Sequence, residues 1–100
     1  MIPQISGIDL LNDSEKNSIQ QIINSELEKL NKKFNNIFSF YLHIKEHKKE
    51  KSKPKYSFHS KTIINGHNIE TDSYGWDHRK SLRELFDKIE NEINHKFHLK

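Results

Sequence analysis

The spacing of apolar residues changes period twice along this chain, and the changes mark out its elements. Residues 2–8, IPQISGI, predict a short first strand, with Pro3 and Gly7 suiting an edge or bent position. Ile19, Ile23, Leu27, Leu30 and Phe34 then recur at helical spacing, with Ile22 at the margin of the stripe. They predict a first helix over about residues 14–34, with Asp13 or Ser14 accepting its unpaired N–H groups and Asn35 and Asn36 at its exit. From there FSFYLHIK drops to a period of two. Phe38, Phe40, Leu42 and Ile44 share one strand face, and Ser39, Tyr41, His43 and Lys45 share the other.

The segment HKKEKSKPK carries Pro54 among like charges and reads as a mobile connection. KYSFHSKTII is a third strand, with Tyr56 and Phe58 on one face and Ser57, His59 and Lys61 on the other. Asn65-Gly66 is a two-residue turn signal because both residues tolerate positive φ, so residues 67–72 return as a fourth strand. Asp77 can cap a second helix that carries Leu82, Leu85, Phe86, Ile89, Ile93 and Phe97 on one side. Two amphipathic helices need an apolar surface to cover. A four-stranded sheet with one apolar face supplies it, so the expected fold is a two-layer α+β domain of order β-α-β-β-β-α with both helices on one face. Trp76, just before the second helix, is expected to anchor the start of that helix against the sheet, with direct stacking on a nucleic-acid base as the alternative.

A chain of 100 residues accommodates one small domain, here residues 1–100, and excludes a multidomain enzyme. No apolar run approaches the length of a membrane span, and the opening MIPQISGIDLLNDSEK lacks the basic-then-apolar pattern of a secretory signal. Without cysteine, disulfides and thiolate metal sites are impossible, which fits a cytoplasmic protein. The net charge of +3 is unevenly spread: residues 45–61 hold seven lysines against Glu46 and Glu50. Such a segment can focus on phosphates or serve simply as a solvated hairpin.

Catalytic and cofactor chemistry finds little support. The chain has no GxxxxGK, GxSxG or HExxH segment, and its three glycines stand far apart. His43, His47, His59 and His67 fit no metal-ligand spacing, and Glu84, Asp87, Glu90 and Glu92 read as a solvated helix surface. No enzyme activity, metal or cofactor is expected; RNA cleavage would need a partner group that His43 and His59 lack in the sequence. Binding has better candidates. Alternation puts Lys45 and Lys61 with Tyr41, His43 and His59 on the open sheet face, where they could stack on or bond to exposed bases. On the second helix Arg79 and Arg83 flank the buried stripe, while Lys80 and Lys88 point to solvent. The plain alternative for the arginines is pairing with Asp87 or Glu90.

The element order, FSFYLHIKEHKK, KYSFHSK and YGWDHRKSLRELFDKIENEINHKFH together resemble the ribosome hibernation-promoting family, the ribosome-associated inhibitors, in a short form like its archaeal members. The resemblance covers nearly the whole chain and rests on a pattern of positions. It implies a four-stranded sheet with two helices on one face, and a non-enzymatic domain that binds the small ribosomal subunit and its ribosomal RNA near the decoding channel, obstructing messenger and transfer RNA under stress or low activity. The family's basic contacts map here onto Lys45, Lys55 and Lys61 in the strands and onto Arg79, Lys80, Arg83 and Lys88 in the second helix. That helix holds five acids and five Lys or Arg residues from Asp77 to Lys96 and is neutral overall. The extra carboxy-terminal domain that dimerises ribosomes in long members is not expected. Neither a membrane nor DNA is an expected partner, and a strand edge could pair weakly with a second copy. A general structured-RNA binding module and a protein-interaction adaptor are the alternatives.

Overall fold

The computed structural model describes residues 3–34, 37–47 and 55–97, without the side chain of Phe38. The expectations for Phe38, for Asn35 and Asn36, and for most of the lysine-rich connection lie outside the described residues. The chain runs β1 (Gln4–Ser6), a 3-10 turn (Ile8–Leu10), α1 (Asp13–Phe34), β2 (Ile37–His47), β3 (Lys55–Ile64), β4 (His67–Gly75) and α2 (His78–Lys96). The sheet order is β1-β2-β3-β4; β1 lies parallel to β2, and the other pairings are antiparallel. α1 is the crossover that a parallel neighbour requires. The result is a two-layer α+β domain with a mixed four-stranded sheet, as the order of periods predicts.

The helix stripes read from the sequence are buried: Ile19, Ile22, Ile23, Leu27 and Leu30 of α1, and Leu82, Leu85, Phe86, Ile89 and Ile93 of α2. They meet Phe40, Leu42 and Ile44 of β2 and Tyr56, Phe58 and Ile64 of β3. Phe40 and Phe86 stack at the centre, with ring centroids 5.4 Å apart. Ile37 joins this core although simple alternation would turn it away from Phe40. A register shift between Ile37 and Ser39 resets the phase, since two residues of β2 there oppose one of β3. Toward β4 the inner face becomes polar and small. Ser60 and Thr71 bond to each other at 2.7 Å, and the Ser73 hydroxyl donates to the Ser81 carbonyl at 2.7 Å, which satisfies these groups under α2.

The first helix is capped one residue earlier than expected. Asn12, not Asp13 or Ser14, accepts the Glu15 N–H at 2.8 Å, while the Glu15 carboxylate accepts the Asn12 N–H at 3.0 Å. This reciprocal box needs a glutamate or glutamine three residues beyond the cap, which Asn12 finds in Glu15; Asp13 and Ser14 meet Lys16 and the shorter Asn17 at that spacing. Glu15 also accepts from the Tyr56 hydroxyl, so one carboxylate ties the start of α1 to β3.

Burial, reinforced by the Glu15 hydrogen bond and the charges of Glu15 and Glu46, pushes the Tyr56 hydroxyl well above the ordinary tyrosine value. A raised folded-state value contributes stability that is complete below the unfolded value and is lost as pH rises beyond it. Wild-type protein is therefore expected to lose about 1.4 kcal/mol per pH unit more than Tyr56→Phe above about pH 10. Urea midpoints of both proteins across that range check this; parallel curves would contradict it.

Gly7 links β1 to the 3-10 turn in the left-handed region, at φ 84°, and an added Cβ would stand 2.0 Å from the Ile44 carbonyl oxygen. That neighbour is backbone inside β2 and has no rotamer with which to yield. Gly7→Ala is expected to destabilise by about 3 kcal/mol through strain and displacement of β1. The loss is read from the urea midpoint, and a loss under about 1 kcal/mol would show that β1 shifts freely. The positive-φ turn read from the sequence is as expected: Asn65 (φ 50°) and Gly66 (φ 75°) join β3 to β4.

Candidate nucleic-acid interface

Strand register arranges the outward side chains in rows. Lys61 stands between Tyr41 and Glu70, His59 between His43 and Asp72, and Ser57 between Lys45 and Tyr74; Lys55 pairs with His47. The face thus carries cations on β2 and β3 and carboxylates on β4. A shallow concavity of about 450 Å³ lies across it, lined in part by His43, Lys45, His47, His59 and Tyr74.

Several of the expected contacts are already engaged. The Ser6 hydroxyl lies 2.9 Å from the Tyr41 hydroxyl and 2.5 Å from His43 Nδ1, which fixes both half-buried rings to β1. His59 sits between two carboxylates, Nδ1 at 2.5 Å from Asp72 and Nε2 at 3.2 Å from Glu70. With both ring nitrogens occupied, His59 has no donor left for a phosphate. Lys45 and Lys61 are exposed and their side chains make no hydrogen bond or ion pair with the described residues, so their ammonium groups are available to an anion.

At one end of the face two large aromatics stand in solvent, Tyr74 at 67% and Trp76 at 61% exposure. Lys55 Nζ lies 4.5 Å from the Tyr74 ring centroid and 5.8 Å from that of Trp76. This overturns the expected anchoring role of Trp76. β4 continues to Gly75 rather than stopping at residue 72, so Trp76 follows the outward alternation of Asn68, Glu70, Asp72 and Tyr74. The start of α2 is held by other groups. Asp77 accepts the Arg79 and Lys80 N–H groups at 3.0 and 3.3 Å, and the His78 ring packs on Tyr56 with centroids 5.5 Å apart. The Lys80 N–H holds the Asp77 carboxyl below its ordinary value; partial desolvation opposes this and the Arg79 N–H adds to it.

The basic residues of α2 divide. Arg79 donates to the Ser18 hydroxyl of α1 at 3.1 Å, and Arg83 lines a groove with Gln21, Ser25, Glu26 and Lys29 of α1. Neither arginine pairs with Asp87 or Glu90; Glu90 instead meets Lys33 at 3.0 Å. Lys80 and Lys88 lie along the β4 side, where Lys88 donates to the Asp72 carbonyl at 2.8 Å. The fold therefore gathers Lys45 and Lys55 with Tyr74, sets Trp76 beside Lys55, and leaves Lys61 on the same face two rows further along β3. It places Lys80 and Lys88 at the adjoining edge and turns Arg79 and Arg83 toward the other helix. A fourth strand ending at residue 72 leaves Tyr74 out of the candidates and base stacking only the alternative for Trp76; carrying the alternation past Asp72 turns both outward.

Among the described residues, no group of three or more His, Asp or Glu side chains is arranged to hold a metal ion. Among them, too, no helix is long and apolar enough to cross a membrane. No protein-family model matches the chain, and no curated protein matches it.

Proposed function

We propose that this chain is a non-enzymatic, cytoplasmic RNA-binding domain that occupies the RNA channel of the small ribosomal subunit and thereby restrains translation. The observation that carries the RNA reading is the pair of exposed aromatics, Tyr74 and Trp76, set beside Lys55 at the end of a sheet face that also presents Lys45 and Lys61. Solvent-exposed rings offer stacking platforms to unpaired bases, and the lysines neutralise the phosphates between them. The small subunit as target rests on the resemblance of FSFYLHIKEHKK, KYSFHSK and YGWDHRKSLRELFDKIENEINHKFH to the ribosome hibernation-promoting family, and the β-α-β-β-β-α fold accords with it. Binding would act by obstruction, with phosphate contacts setting position and stacked bases setting orientation.

The test is a Tyr74→Ala/Trp76→Ala double variant. Both side chains lie outside the core, so the fold is expected to survive intact. Affinity for isolated small subunits should fall by about tenfold or more, the loss of one or two stacked bases. Unchanged affinity in a normally folded variant would remove this face from the interface.

A further inference from the structure

A second concavity, about 270 Å³, lies around the corner from the open face, between the end of β4 and the first turns of α2. Tyr74, Gly75 and Trp76 form its strand wall; Asp77, Lys80, Ser81 and Glu84 form its helix wall. Those four positions follow helical spacing and share one side of α2. The volume falls below that of a drug-sized site and suits a single planar group. An exposed indole at its rim offers that group a stacking partner.

The polar groups narrow the choice. One Asp77 oxygen is committed to the N–H groups of Arg79 and Lys80. Glu84 is exposed and makes no hydrogen bond or ion pair with the described residues, so both its oxygens are free to accept. A carboxylate that accepts through two oxygens calls for two adjacent donors. Of the four RNA bases, guanine alone presents such a pair on its Watson–Crick edge, at N1–H and the 2-amino group. Adenine and cytosine place a ring acceptor beside their single amino donor, and uracil flanks its one N–H with carbonyls; each would set lone pairs against the carboxylate. Lys80 stands on the same wall to meet the phosphate.

We propose that this concavity receives one unpaired guanine, stacked on Trp76 and read by the Glu84 carboxylate. The proposal rests on the RNA-binding reading above and deepens it by naming the base. It gives the domain a specific contact within an interface otherwise built on charge and stacking.

Trp76 is the one tryptophan in the chain, so tryptophan fluorescence reports base stacking at this residue. Full-length protein is titrated with uridine pentamers carrying guanine, adenine or inosine at the centre, and affinity is taken from the midpoint of the fluorescence change. Guanine is expected to bind about tenfold more tightly than adenine, the discrimination of one two-point contact. Inosine, which lacks the 2-amino group, should fall between them. Glu84→Gln should remove most of the preference, and Glu92→Gln, on the exposed surface of the last turns of α2, should keep it. Equal midpoints for the three pentamers, or a preference that survives Glu84→Gln, would overturn the guanine site. If the pentamers leave the fluorescence unchanged while small subunits still bind, the guanine site falls and the proposed function stands. If small subunits fail to bind as well, both fall.

Discussion

Phe86→Ala is expected to remove about 4 kcal/mol of stability, a large fraction of what a domain of this size holds in reserve. Phe86 is 2% exposed and stacks on Phe40, itself 1% exposed, at the point where α2 meets the centre of the sheet. Deleting the ring removes the stacking contact and leaves a cavity walled by the packed backbones of α2 and β2, which cannot close over it. A lower urea midpoint with an unchanged slope, together with a melting temperature lower by about 20 °C, is the expected signature. Phe97, which is only partly buried against the core and meets His67 edge-on at 5.0 Å, should cost clearly less on the same change. A loss below about 1 kcal/mol for Phe86→Ala would mean that the core does not centre on the Phe40–Phe86 pair.

The largest functional effect is expected from Lys45→Glu/Lys61→Glu. Both ammonium groups stand on the open face without partners among the described residues, and reversal replaces two phosphate attractions by two repulsions. Affinity for small subunits should fall about a hundredfold at physiological salt, and the slope of log affinity against log salt should become shallower by about two. The fold should be unaffected, because neither side chain touches the core. Two neighbours set the limits of this surface. Glu70 and Asp72 bring negative charge to its β4 side, and His59 is held between them, so the cationic area is confined to β2, β3 and the Tyr74–Trp76 end. Unchanged binding would place the interface elsewhere.

The architecture was legible because each element has its own period. Ile19 to Phe34 and Leu82 to Phe97 repeat at helical spacing, Phe40 to Ile44 alternate, and Asn65-Gly66 supplies a turn that few other residue pairs accept. That same turn also fixes the register of β4 on β3. A two-residue loop sets Ile64 opposite His67, and counting outward puts His59 opposite Asp72 and Lys61 opposite Glu70. The carboxylates beside His59 are therefore legible in the sequence from the turn alone. The register of β2 on β3 had no such key, because the lysine-rich connection has no turn signature and the shift between Ile37 and Ser39 changes the phase without marking the sequence. Trp76 was misread for a different reason. Large aromatics are usually buried, and that preference outweighed the alternation that carries Tyr74 and Trp76 outward together. The separation of Arg79 and Arg83 from the strand lysines depends on how α1 and α2 pack side by side, which no local pattern specifies.

Selective association with one ribosomal particle is the central expectation, and sedimentation tests it most directly. Purified protein is spun with separated small and large ribosomal subunits at physiological salt, with and without a structured-RNA competitor. Saturable co-sedimentation with the small subunit alone, persisting in the presence of competitor, is the predicted result. Equal partition among both subunits and the competitor would reduce the protein to a general RNA binder, and absence from every RNA-containing fraction would contradict the account outright.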